Sequence, residues 1–299
     1  MFGEKLDYLL LKPFVHSGNR ATEEELDREG CSSLLGDQML TKLPRILARF
    51  EGHFPISPDL HYLDMGCGSG ELTLALARMG LRHVVGVDYL PRFIAMARRN
   101  ADALGMGERV EFVCADLHQW TPPRKFDVVI SFDALEHIDH PRAFMARMAD
   151  FLQPGGVAAI SFGPLFHSPF GDHMAEFFKV QIPWRGALFS ERAIMRLRRE
   201  FYRPTDPATR YTEVAGGLNL MRYSEFLRHA RETGWRFEFL QTNAFVRSRA
   251  LRDMSSRVCG TPGLGDYFVH NVYAVMARER DAAAAPRPGL KREEDRLAA

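Results

Sequence analysis

The chain has 299 residues, 39 basic and 38 acidic, and a hydrophobic fraction of 46%, enough for one large core with additions. The near balance of charge gives no electrostatic footprint for nucleic acid. The four cysteines form no CxxC pair, so neither a disulfide framework nor a zinc site is expected and a reducing, cytoplasmic setting fits.

Residues 1–55 read as a helical N-terminal cap. Glu23–Glu29 is a charged, solvated helix, and Gln38–Phe50 carries apolar residues at helical spacing with Pro44 as boundary or kink. The start of the chain lacks the basic lead and apolar core of a signal peptide, and no stretch has the length and apolarity to span a bilayer. Residues 56–163 alternate regularly. Strand 60–65 precedes helix 71–79, strand 83–88 precedes helix 91–104, and strands 109–114 and 126–132 follow. Helix 141–152, the turn Gln153-Pro154-Gly155-Gly156 and strand 157–162 complete the run. Pro91 and Pro141 suit first helical turns and Gly105 a helix end. This alternation predicts a parallel sheet with right-handed crossovers. Residues 164–220 break the rhythm with Pro, Gly and aromatics around one basic helix near 190–201, and read as a substrate-lid insertion. Residues 221–278 return to the core, with Ser224 as N-cap of helix 225–233, Gly234 as its stop, and strands 235–245 and 267–276. Residues 279–299 mix Ala, Pro and charge, as a disordered tail does.

The organising stretch is His61–Glu71, a short strand that breaks into a turn with Gly at 66, 68 and 70. The third glycine is displaced from the GxGxxG dinucleotide fingerprint. Asp64 sits two positions before the first glycine, where a carboxylate repels phosphate and attracts an ammonium group. The turn therefore suits S-adenosylmethionine (SAM), which has a zwitterionic methionine end, a ribose and an adenine. Asp88, at the end of the second strand, can accept both ribose hydroxyls. Asp116, after the third, can accept the adenine amino group while Leu117 covers a ring face. Any one such acid is more often a capping residue; three at the carboxyl ends of successive strands mark a ligand edge.

On these residues the chain resembles the class I, Rossmann-like SAM-dependent methyltransferases. Leu63–Gly70 is similar to their motif I, Val85–Asp88 to the acidic post-I motif and Val113–Leu117 to motif II. Phe126–Ile138 resembles the fourth-strand motif, and Leu152–Gly156 the turn before strand five. The resemblance covers residues 58–163 and implies a doubly wound α/β sheet of seven strands with the last antiparallel. It implies SAM as cofactor, held by Asp64, Gly66, Cys67, Gly68, Asp88, Tyr89, Asp116, Leu117 and Ser131.

Methyl transfer to a hydroxyl of high pKa needs a base or a metal to remove its proton, and a base is expected beside the ends of strands four and five. Asp133, Glu136 and His137 resemble the acid-xx-Glu-His cluster of the ubiquinone-biosynthesis O-methyltransferases, where a divalent metal is implied. This chain has Asp where that group has Glu, and the reading adopted assigns no metal. Capping or orienting the following helix is the structural role open to Glu136 and His137. After strand five, His167, Asp172 and His173 offer bases. Phe166, Phe170, Phe177, Phe178 and Trp184 either line an acceptor pocket or fill the insertion's own core. The bases expected are His167, then His173, with His137 as a further candidate. The basic runs Arg192–Arg199 and Arg247–Arg257 read as solvated helix faces or as contacts for an acidic acceptor. The function expected is methylation of a small-molecule acceptor at a hydroxyl oxygen. The alternatives are an N-directed or quinone- or lipid-linked acceptor, and a SAM-binding regulatory or scaffold protein without turnover.

Overall fold

The computed structural model describes residues 3–16, 43–50, 52–53, 55–175, 177–214, 217–243, 259, 261 and 263–281. The expected charged helix Glu23–Glu29 and the basic run Arg247–Arg257 lie outside those residues. Alternating apolar runs become a sheet of seven strands: β1 (His61–Met65), β2 (His83–Asp88), β3 (Val110–Cys114), β4 (Phe126–Phe132), β5 (Leu152–Phe162), β6 (Trp235–Asn243) and β7 (Asn271–Arg278). Their order is β3-β2-β1-β4-β5-β7-β6. β7 runs antiparallel to both of its neighbours, and the other pairs are parallel. All seven residues of β4 are buried, as a central strand covered on both faces requires.

The main helices are α1 (Glu4–Leu11), α2 (Leu43–Arg49), α3 (Glu71–Arg78), α4 (Pro91–Ala103), α5 (Pro141–Phe151), α6 (Glu191–Phe201) and α7 (Tyr223–Glu232). One face of the sheet packs α2, α3 and α4 through Leu43, Leu74, Ile94 and Ala97. The other packs α5 and α7 through Phe144, Met148, Phe226 and Ala230. No helix among the described residues is long and apolar enough to cross a membrane.

A third core lies off the sheet. Tyr8 and Leu11 of α1 pack with Phe177, Phe178, Ile194 and Leu197. Asp7 accepts the Ser190 N–H at 2.8 Å, and Ser190 in turn accepts the Ala193 N–H, so α6 begins on a cap held from the other end of the chain. Backbone bonds from His16 to Phe177 and from Lys179 to Phe14 close the seam. The N-terminal helix and the 164–214 segment therefore form one packed unit.

Four expectations shift at the edges. The 153–156 turn is absorbed into β5 as an irregularity between the pairs Phe126↔Leu152 and Val128↔Val157. α7 starts at Tyr223, and Ser224 does not cap it; the Ser224 hydroxyl and N–H both bond Asp266, at 2.8 and 2.7 Å. Tyr267 and Phe268 lie in a one-turn helix, Gly265–Phe268, so the last strand starts at Asn271. Glu279–Asp281 is a 3₁₀ turn in which Asp281 pairs with Arg278 and accepts the Gly155 N–H at 3.0 Å.

Candidate active site

β1 delivers its chain end between β2 and β4, where the sheet order reverses and a crevice opens. The Gly66 and Cys67 N–H groups both donate to the Val87 carbonyl, which ties the turn to β2. Gly68 has φ 52° and nothing within 4 Å of where a side chain would start, so bare backbone faces open space. Gly70 has φ 86°, and a Cβ there would lie 2.7 Å from the Phe112 ring, so helix α3 can approach the sheet only through glycine.

The turn's carboxylates are held by backbone and hydroxyl donors. Asp64 is buried, and its Oδ2 accepts the Thr73 hydroxyl at 2.7 Å. Burial, with some help from the negative charges of Glu71 and Asp88, pushes its carboxyl up to about 7 against the hydroxyl's opposing pull. Asp88 Oδ2 accepts the Gly68 N–H at 3.1 Å and Oδ1 accepts the Leu90 N–H at 2.9 Å. Burial raises Asp88 as well, and it outweighs those hydrogen bonds. Burial lifts the Cys67 thiol well above its ordinary range.

A cavity of about 180 Å³ is lined by Asp64, Gly66, Cys67, Gly68, Glu71, Leu72, Phe132, Asp133 and Leu43. Four of the expected cofactor residues thus share one cavity. Asp88 adjoins it through Gly68. Tyr89 stands exposed beyond Asp88. Asp116 is exposed at the end of β3, its oxygens accepting from His118 N–H and Gln119 Nε2, and Leu117 is packed into the core of the α5 face. Ser131 is fully buried with its hydroxyl on the Met65 carbonyl, so it braces the turn from below and does not face the cavity. Leu43, Leu72 and Phe132 were not among the expected contacts. The apolar pattern of Gln38–Phe50 signalled a helix, but only packing shows that Leu43 reaches this cavity.

The site's other half follows β4 and β5. Asp133 holds a left-handed backbone at φ 51°, and its N–H donates to Ser161 at 2.7 Å. Such strain at a strand end is retained where the surroundings fix it. Glu136 is buried, its Oε1 accepting the Gly163 N–H at 2.9 Å, so it anchors the start of the added segment and does not cap α5. Among the described residues no three His, Cys, Asp or Glu side chains converge as a metal would need, so Asp133, Glu136 and His137 do not fit that group.

The rings of His137 and His173 meet edge to face, 5.5 Å apart. His137 Nδ1 lies 3.4 Å from the Gly217 carbonyl, and His173 Nε2 lies 2.9 Å from the Pro164 carbonyl. The His173 ring keeps access to solvent, but the protein packed around it partly desolvates it and lowers its pKa, with a further push from His137 against the pull of the Pro164 carbonyl. His173 is therefore neutral near pH 7, with its proton on Nε2 and the Nδ1 lone pair available. His167 is elsewhere. It packs between Phe166 and Tyr267, and the charges that reach it are those of Arg222, Asp266 and Glu225. Asp172 is no base: Arg185 grips it with bonds of 2.6 and 2.8 Å while stacking on Phe178 at 3.9 Å. Phe177 and Phe178 belong to the third core, and Trp184 packs on Phe268 with its indole N–H on the Tyr267 carbonyl.

The sequence profile of a family described as "Methyltransferase domain" matches residues 63–156, the stretch from β1 into β5. That match places a methyltransferase domain on residues 63–156, and the sheet order is that of the class I, Rossmann-like methyltransferase fold. Among sequence relatives, a ubiquinone biosynthesis O-methyltransferase of Bradyrhizobium sp. (strain ORS 278) is 35% identical over 102 residues, 34% of this chain and 39% of that one. The mitochondrial ubiquinone biosynthesis O-methyltransferase of Arabidopsis thaliana is 32% identical over 129 residues, 40% of each chain. The chain thus spans about two fifths of the curated relatives it matches. In fold it resembles a SAM-dependent methyltransferase from Clostridium acetobutylicum, with TM-score 0.52 and 12% identity over 85% of this chain and 98% of that one. It also resembles the [4+2]-cyclase SpnF, with TM-score 0.50 and 16% identity over 89% and 86% of the two chains.

The donor of this class is SAM, and the site fits it on its own geometry. Asp64, Glu71 and Asp133 line the cavity, and the charges of Glu71 and Asp88 add to the cost of ionising Asp64, a setting that favours a cationic ligand. The Gly68 backbone leaves room for close approach.

Proposed function

We propose that this chain transfers the methyl group of SAM to a hydroxyl oxygen of a small-molecule acceptor, with His173 as the general base. The observation that carries the reading is the His137–His173 pair beside Asp133, a residue on the wall of the donor cavity. SAM supplies an electrophilic methyl on a sulfonium, and the remaining work is positioning and proton removal. Asp64 and Asp88 hold the donor's ammonium and ribose. His173 Nδ1 takes the acceptor's proton as the new bond forms, and the Pro164 carbonyl keeps the other ring nitrogen protonated. His137 packs against the His173 ring and fixes its orientation. A phenolic hydroxyl, with a pKa near 10, gains most from such a base. The names of the curated relatives favour a phenol of the quinone-precursor type over an amine.

The fold alone does not decide the chemistry, since a cyclase shares it. Incubation with labelled SAM and parallel panels of phenols and amines tests the reading. A labelled phenol ether is expected, and its formation is expected to drop in a His173→Asn variant, since Asn tolerates the φ of 54° at that position. Unchanged turnover in that variant removes the base. An absence of SAM binding by calorimetry removes the reading and the non-catalytic SAM-sensor alternative together. Labelled amines alone replace O-transfer with N-transfer.

A further inference from the structure

A second cavity lies apart from the donor site. It measures about 640 Å³, a volume that suits a whole small ligand, and lies on the third core, between α1 and α6. Arg192, Arg196 and Arg199 project into it from α6, Arg210 closes it from the following loop, and Met195 and Ala208 form an apolar floor. Among the described residues Glu4 and Glu191 are its only acids, so there arginines exceed carboxylates by two.

The arrangement is unfavourable for α6 taken alone. Positions 192, 196 and 199 are helical neighbours, so three like charges share one face. Arg192 also sits in the first turn, where the helix dipole disfavours a cation. Little of this charge is neutralised. Glu191 already accepts the Tyr211 N–H at 2.7 Å and lies 3.9 Å from Arg210, while Arg198 on the buried face pairs with Asp206. Among the described residues the Arg192 and Arg199 guanidinium groups make no ion pair. Arg196 is held in place, with its guanidinium over the Tyr8 ring at 4.3 Å. Crowded, partly preorganised and uncompensated guanidinium groups over an apolar floor are the chemistry of phosphoryl recognition.

We propose that this cavity binds a phosphoryl group, with Arg192, Arg196 and Arg199 as its ligands and Met195 beneath the group that bears it. The site is separate from the donor cavity and does not depend on the methyl-transfer reading. Two sources supply the same chemistry, a soluble phosphorylated metabolite and the headgroup of an anionic lipid. The second draws on the exposed Leu6, Leu9 and Leu10 of the adjoining helix and on Phe14 in the turn after it.

The test measures binding of inorganic pyrophosphate to the full chain by calorimetry and, in parallel, co-sedimentation with phosphatidylcholine vesicles with and without phosphatidic acid. The double variant Arg192→Gln/Arg199→Gln is compared in both arms. Because both residues are exposed, its thermal transition is expected to match the parent. Pyrophosphate affinity is expected to fall by about tenfold or more in the variant, and to fall in the parent as salt rises. If pyrophosphate binds, the source is soluble; if only the phosphatidic acid vesicles bind and the variant releases them, it is the lipid headgroup. Hydrogen exchange of the parent with pyrophosphate or vesicles guards against a misfolded variant, because protection must appear over residues 191–211. No binding in either arm, binding that the variant leaves unchanged, or protection confined to other segments overturns the proposal.

Discussion

The two halves of the site are built on different physics. The donor half rests on β1, β2 and the glycine turn between β1 and α3. Its carboxylates are held by backbone donors close to them in space and within one βαβ unit, such as Gly68 N–H on Asp88. The proposed acceptor half hangs on segments 164–173 and 217–220 and on the third core, where α1 closes over α6. There the fixing contacts join residues far apart in sequence, as with Asp7 to Ser190, Glu136 to Gly163 and Ser168 to His270. The donor half is a property of a sheet edge, and the acceptor half is a property of an added layer.

The sharpest way to break that separation is Arg185→Leu. It strands a buried Asp172 and is expected to cost about 3–5 kcal/mol in the added layer. Urea unfolding monitored by Trp184 should move, while SAM affinity by calorimetry stays within about threefold, a change below 1 kcal/mol. Loss of SAM binding in parallel would make the halves one cooperative unit.

Protonation should separate the halves by sign. Burial raises the Asp64 carboxyl to about 7, so its ordinary value of 3.8 is exceeded in the folded state. The stability that this protonation contributes is complete below pH 3.8 and is lost as pH rises through 7. Asp64→Asn should therefore stabilise the ligand-free protein at pH 8, by on the order of 4 kcal/mol, show no gain at pH 4, and weaken SAM binding. His270, in the acceptor half with Nδ1 3.0 Å from the Ser168 hydroxyl, is pushed down to about 4 by burial and by His173. Its stabilising contribution is present above 6.5 and is lost as pH falls to 4, on the order of 3 kcal/mol, and His270→Asn should flatten that loss. Denaturant midpoints across pH 4–8 check both; the same sign in both variants would defeat the assignment.

For catalysis, His173→Asn should lower kcat by about 10²-fold with SAM affinity intact, and the acid limb of the wild-type rate profile should lie below pH 6.5. His167→Gln should change kcat far less, because His167 faces Tyr267 and not Asp133. Gly68→Ala should cost roughly 1 kcal/mol through its positive φ, with no clash, and should reduce SAM affinity more than it reduces stability. The smallest effect expected is none: EDTA should leave turnover unchanged, since Glu136 Oε1 is committed to the Gly163 N–H. Turnover lost to EDTA and restored by magnesium would require a metal after all.

What the sequence by itself determined is the donor half and the sheet that carries it. Strand and helix periodicity, prolines at helix starts, and acids at successive strand ends are local signals. In a parallel sheet, local order dictates which strand end a residue occupies, so the gathering of Asp64, Gly66, Cys67, Gly68 and Asp88 at one sheet edge was legible before any contact was known. The tertiary structure alone decided the rest. Aromatics that fill a core and aromatics that line a pocket look alike in sequence, and Phe177 and Phe178 fill the core beneath α1. Three candidate bases lay within seven residues of one another, yet Arg185 locks Asp172, Tyr267 receives His167, and only His173 meets His137. The helix start at Ser224 was taken over by Asp266, 42 residues later. These outcomes turn on long-range packing, and no spacing along the chain encodes which distant partner arrives first.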